Sequence, residues 1–141
     1  MFIYDQEFTR DTLLYSARYF ESEGLDIYLA APTGRAAKRM SEATGEEAKT
    51  VHRMLEMEKG ELDVRFGRNA MNPLDESVCI VDEASMIDST LMCALLKAIK
   101  PGARIVIIGD SDQLPPVGAG NVLHDMINSK ALPVVELKEV F

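Results

Sequence analysis

Three apolar runs constrain the fold of this chain more than any other feature: "DIYLAA" (26–31), "SVCIVD" (77–82) and "ARIVIIG" (103–109). None alternates apolar with polar residues, as a strand with one wet face does. Continuous runs of this length belong to strands buried on both faces, the habit of parallel sheets. The segments between them have helical spacing. Leu13, Leu14, Ala17 and Phe20 fall on one side of residues 11–23, and Gly24 supplies a stop. Thr33 offers an N-cap to "GRAAKRMSEAT", which Gly45 ends, and a further helical turn covers 50–55. Asp88 caps a helix through 99, with Lys97 and Lys100 near the end where the helix dipole favours cations. Pro101-Gly102 closes it, "AGNVLHDMINS" reads as a short helix, and "PVVEL" (133–137) reads as a last strand. Residues 56–76 are polar, and the alternation in "ELDVRF" suggests a small hairpin or an irregular insertion. The expected class is α/β: one domain over 1–141, with a parallel sheet flanked by helices on both faces.

Open sheets of this kind take their ligands beyond the carboxyl ends of the strands. Polar clusters stand at those places: Pro32-Thr33-Gly34, Asp82-Glu83, and Asp110-Ser111-Asp112-Gln113. Asp82 at a strand end suits Mg2+, which prefers oxygen ligands and keeps several waters. The adjacent Glu83 points elsewhere and can orient and deprotonate an attacking water. In "GDSDQLPPVGAG" (109–120), the Gln113 amide can meet a phosphate oxygen or a water. Pro115-Pro116 stiffen that loop, so a movement at Gln113 is passed on. In "APTGRAAKRM" (31–40), Thr33, Gly34 and the helix start offer backbone N–H groups to an anion. Arg35, Lys38 and Arg39 follow near one face and suit the phosphates of a nucleic-acid backbone. Each cluster also has a plainer reading: an acidic turn, a connecting loop, a solvated basic helix. His52 can stack on a nucleotide or serve only the packing of its helical turn.

The net charge of −8 argues against a free-standing nucleic-acid binder. The cations gather, however, with Arg35, Lys38, Arg39, Lys49 and Arg53 all within 31–55. Cys79 and Cys93 lie in expected core segments without His or Cys neighbours, which suggests neither zinc nor a disulfide. A reducing, cytoplasmic setting is the simpler expectation. The eight methionines are read as packing residues and His124 as a partly buried surface residue.

The order of the clusters carries a resemblance. "APTGRAAKRM", "KTVHRML", "NPLDESVCIVDEASMID" and "IVIIGDSDQLPPVGAGNVL" closely resemble the first motor domain of RecD-like DNA helicases of superfamily 1, over about 22–141. The resemblance implies a RecA-like P-loop NTPase fold, ATP and Mg2+ as cofactors, and ATP hydrolysis coupled to translocation on single-stranded DNA. It implies that Asp82 holds the metal, with Asp110 and Gln113 beside it at the nucleotide. Glu83 activates water, and Gln113 senses the terminal phosphate and couples it to DNA movement. The segment 33–39 contacts the DNA backbone, with Thr33, Gly34, Arg35 and Lys38 as the carried-over residues, and His52 lies on the DNA side. Other nuclease or helicase subunits are implied as partners, and repair or recombination as the setting.

Two departures set limits. The family's glycine-rich loop ending in Gly-Lys-Thr belongs near residues 3–10, where this chain has "IYDQEFTR", without Gly or Lys. Most of the β- and γ-phosphate cradle is therefore missing. The family also continues past a sequence like "LKEVF" into an arginine and a second motor domain. The chain alone is therefore expected to be catalytically incompetent. A non-catalytic DNA- or partner-binding module is the competing reading, and an unrelated Mg2+-dependent nucleotide binder a more distant one. In the family sheet, the strand feeding the phosphate loop sits between the strands at 103–109 and 133–137, and only "FIY" remains to fill that place. The expectation is a truncated sheet with a poorly held last strand, or a gap filled by a second copy.

Overall fold

The computed structural model describes residues 2–5, 9–110, 118 and 120–136. Six strands form one parallel sheet: β1 (Phe2–Asp5), β2 (Ile27–Ala31), β3 (Ala48–Thr50), β6 (Val78–Val81), β7 (Arg104–Gly109) and β8 (Val134–Glu136). Their spatial order is β3-β2-β6-β7-β1-β8. Two further strands, β4 (Met57–Lys59) and β5 (Val64–Phe66), make the antiparallel hairpin expected within 56–76.

The continuous apolar runs have the expected cause. Side chains alternate across a strand, and here both faces are buried. Cys79, Val81, Ile105 and Ile107 enter one core with α3 (Val51–Met54) and α4 (Ser89–Ala98). Val78, Ile80, Val106 and Ile108 enter the other, with α1 (Thr9–Ser22) and α2 (Gly34–Thr44). Every residue of β6 is buried, so no polar residue interrupts its run.

The helix boundaries follow their caps. Thr33 stands in extended backbone and its hydroxyl accepts from Ala36 N–H at 3.2 Å. Gly45 ends α2 at φ +76°. Thr50 caps α3 by accepting from Arg53 N–H at 3.1 Å, and Asp88 caps α4 by accepting from Leu91 N–H at 2.8 Å. A 3-10 turn (Ala84–Met86) and the edge strand β3 are additions to the sequence reading. Residues 48–50 hold only three positions, two of them polar, so no apolar run marks them as a strand. The helix α5 (Val122–Asn128) falls within the expected segment.

The expected gap in the sheet is not there. β1 pairs in parallel with β7 through Phe2↔Val106 to Asp5↔Gly109, and with β8 through Ile3↔Val134 to Asp5↔Glu136. A ladder needs only backbone N–H and C=O groups. The four residues 2–5 contain no proline and supply them to both neighbours. The phosphate-loop strand is therefore present and β8 is held. Filling by a second copy loses its physical basis.

Other expectations also need correction. Cys79 is buried but Cys93 is exposed, because α4 turns positions 91, 92, 95 and 98 inward and 93 outward. Met71 and Met86 are exposed, at 93% and 46%, so not every methionine packs the core. His124 is exposed rather than partly buried, on the outer side of α5.

Candidate functional site

The end of β6 delivers Asp82 and Glu83 to the carboxyl edge of the sheet, next to the end of β7. Asp82 is only 6% exposed, at the end of a strand that β2 and β7 flank on both sides. Its Oδ1 accepts from Glu83 N–H at 2.8 Å. That bond accompanies a left-handed backbone at Glu83, φ +54°. A non-glycine residue held there is strained, and strain of this kind gathers at functional sites.

Burial pushes the Asp82 carboxyl up from 3.8 to about 6. The Glu83 charge adds to the rise, while the Glu83 N–H and the Arg39 charge oppose it. A desolvated carboxylate of this kind gains most from a cation that restores its charged form. Mg2+ therefore fits Asp82 chemically.

Beside the pair is a cleft of about 380 Å³, whose walls include Leu13, Met40, Arg39, Glu42, Asp82 and Glu83. It opens between α1 and α2. Arg39 Nη2 stands 3.9 Å from Glu83 Oε1, with the Arg39 side chain 65% exposed and that of Glu83 20%. The sequence places Arg39 on the basic face of α2 but does not reveal this pairing. Its one available signal is the one-turn spacing from Arg35 along the helix.

The other site residues fall in three places. Thr33, Gly34, Arg35 and Lys38 stand together at the start of α2, with Arg35 and Lys38 exposed. Among the described residues, a Cβ built on Gly34 meets nothing within 4 Å. Asp110 is half-buried just past the end of β7. Gln113 and the neighbouring residues 111–117 lie outside the described residues.

His52 is elsewhere. Its helix α3 packs Val51 and Met54 into the core on the opposite face of the sheet from α2. His52 lines a groove of about 850 Å³ under the β4–β5 hairpin, with Lys59, Leu62, Phe66 and Leu91. The hairpin is clasped at its base by Arg68, whose guanidinium donates to Pro73 O and pairs with Glu56 and Asp75 at 3.5 Å each.

Gly109 and Gly118 owe their place to close packing. A Cβ at Gly109 would stand 2.6 Å from Leu123 Cδ2 and 3.3 Å from Ser85 N. At Gly118 it would collide with the Asp88 carboxylate. Gly109 and Gly118 are thus laid against the elements that follow Asp82-Glu83.

The phosphate loop has no room. β1 ends at Asp5 and α1 begins at Thr9, which leaves three residues, Gln6, Glu7 and Phe8, between them. The Gly-x-x-x-x-Gly-Lys-Ser/Thr pattern occupies about eight residues. The resemblance places the loop near residues 3–10, with only "FIY" left for the strand before it. Most of that window is strand and helix.

Comparison with known proteins agrees with this geometry. An AAA domain family matches residues 10–119. The chain is 46% identical over 121 residues to an ATP-dependent RecD2 DNA helicase of Deinococcus radiodurans, a match covering 86% of this chain and 16% of that protein. It is 42% identical over 118 residues to the RecBCD enzyme subunit RecD of Mycobacterium tuberculosis, covering 72% of this chain and 20% of that one. A structure of Bacteroides Pif1 bound to single-stranded DNA superimposes with a TM-score of 0.61 at 22% identity, over 100% of this chain and 38% of the other. That likeness shows the RecA-like P-loop NTPase fold. The chain spans a fifth or less of the length of these two curated relatives. With the strand-end carboxylates and the capped basic helix in family order, the chain belongs to the AAA domain family, in its RecD-like superfamily 1 helicase branch.

Proposed function

We propose that this chain acts as a single, partial motor domain of a RecD-like helicase, coupling ATP hydrolysis to movement on single-stranded DNA within a larger assembly. One observation carries the reading: β6 sets a desolvated Asp82 and a strained Glu83 beside a cleft that the basic helix α2 also lines. Asp82 would hold Mg2+ and Glu83 would orient and deprotonate water, with Asp110 and Gln113 as nucleotide contacts. Bound Mg2+ would supply charge neutralisation at the phosphates. The start of α2, through Thr33, Gly34, Arg35 and Lys38, would take the DNA backbone. His52 would meet nucleic acid only by way of the hairpin groove. A cytoplasmic setting, work in repair or recombination and other nuclease or helicase subunits as partners belong to the same reading.

Alone, the chain is not expected to turn over ATP, because three residues between β1 and α1 cannot wrap two phosphates. That short connection also favours a second reading, a DNA-binding module without hydrolysis. One experiment separates the two. The chain is titrated with a labelled oligonucleotide at low salt, with and without Mg-ATP. Calorimetry with Mg-ATP is run in parallel on the chain and on Asp82→Ala. The motor reading expects DNA binding that weakens with salt and responds to Mg-ATP, and nucleotide binding that Asp82→Ala abolishes. DNA binding indifferent to Mg-ATP supports the module. An absence of oligonucleotide binding at low salt sinks both.

A further inference from the structure

The pairing of Arg39 with Glu83 joins the two halves of the proposed site. Arg39 belongs to the same helix as Arg35 and Lys38, and at helical spacing the three share one exposed face. Its guanidinium nevertheless reaches the water-activating residue, 3.9 Å from Glu83 Oε1. That distance is an ion pair without a hydrogen bond. Arg39 is mostly exposed and Glu83 mostly covered, so Arg39 is the partner free to move. Glu83 is held by its left-handed backbone and by the Asp82 bond to its N–H. An exposed pair of this kind is weak. A phosphate offers the guanidinium a bidentate, charge-assisted contact, which is stronger.

We propose that Arg39 is a positioning residue shared between two anions: it pairs with Glu83 when the α2 face is empty, and a DNA phosphate arriving on that face takes it away. The exchange leaves Glu83 without its counterion and so frees the carboxylate for water. The occupancy of the DNA face would in this way set the state of the hydrolytic residue, with no movement larger than one side chain. This inference rests on the reading of α2 as the DNA-facing helix.

If Glu83 competes with phosphate for Arg39, removing Glu83 must strengthen DNA binding, and only while Arg39 is present. The experiment measures oligo(dT) binding by fluorescence anisotropy at fixed low salt. It uses the full chain, Glu83→Gln, Arg39→Ala and the double variant, each first checked by circular dichroism for an unchanged fold. Glu83→Gln is expected to tighten binding about twofold to fivefold, the range of an exposed ion pair. Arg39→Ala is expected to weaken it, and Glu83→Gln added to Arg39→Ala to change nothing further. Arg39→Lys, which keeps the charge, should restore most of the Glu83→Gln effect. Equal tightening with and without Arg39 would reduce the effect to general charge and overturn the proposal. So would a Glu83→Gln affinity equal to that of the unaltered chain. In both cases the DNA reading of α2 would stand. If the unaltered chain binds no oligonucleotide, the DNA reading fails, and this proposal with it.

Discussion

The carboxyl ends of β6 and β1 lie in one sheet with only β7 between them, and they have kept very different amounts of chemistry. β6 opens into Asp82, Glu83 and a packed 3-10 turn, with every position of the strand buried. β1 pairs along its whole length with β7 and over three residues with β8, yet by Thr9 the chain is already helical. The difference teaches that a strand and the loop it feeds answer to separate demands. A strand is held by backbone hydrogen bonds, which almost any short sequence can make. A phosphate cradle needs successive N–H groups in one concave turn, a lysine and enough residues to build them. The first demand is met at β1 and the second is not.

The sharpest way to break that contrast is to supply what β1 lacks. Replacing residues 6–8 with a Gly-rich Gly-Lys-Thr loop should tighten Mg-ATP binding, read by calorimetry. The gain should exceed about 100-fold, or about 3 kcal/mol. Asp82→Ala should erase it. A grafted chain that folds but binds nucleotide no more tightly would show that the β6 end is not a competent metal site.

The β6 end can be tested by itself through its buried carboxyl. Below pH 3.8, Asp82 is protonated folded or unfolded, and it costs the fold nothing. Between 3.8 and about 6 the unfolded chain releases this proton while the folded chain keeps it. Stability therefore falls as pH rises through that window, and above it the folded state carries the full cost of a buried charge. Asp82→Asn keeps an oxygen for the Glu83 N–H and removes the charge. At pH 7 it should stabilise the chain by about 2–3 kcal/mol, and near pH 3.5 by nearly nothing. Urea melts at the two pH values would measure both, and equal effects would refute burial as the cause.

Gly109→Ala tests how tightly β7 is set against the β6 end. The added methyl meets Leu123 and the backbone of Ser85, so the variant should lose about 1–3 kcal/mol in chemical denaturation. A neutral result would mean that the turn after Asp82 yields easily.

The smallest effect separates the two faces of the sheet. Lys38→Ala should weaken oligonucleotide binding a few-fold and lower the slope of log affinity against log salt by about 1. His52→Ala lies across the sheet and should leave that slope alone. The same salt titration reads both variants, and a change at His52 matching that at Lys38 would move the DNA path to the hairpin groove.

Much of this is legible in the residues. Burial on both faces writes a parallel strand as an unbroken apolar run, so β2, β6 and β7 stand out in the sequence alone. Thr33 and Asp88 mark helix starts because capping is a local exchange of one side-chain oxygen for one backbone N–H. The carboxylates announce themselves because a strand end is a fixed place in such a sheet. β3 is not legible, because an edge strand of three residues needs no apolar pattern.

What the sequence determined by itself was therefore local: which segments are strands, where helices begin, and which side chains stand at strand ends. Only the tertiary structure decided that the short N-terminal segment closes the sheet, that His52 and Lys38 lie across it from each other, and that Arg39 reaches Glu83. Those three facts depend on the order in which crossovers lay the strands side by side. Residues far apart in the chain then become neighbours by geometry, and no local pattern records which ones will meet.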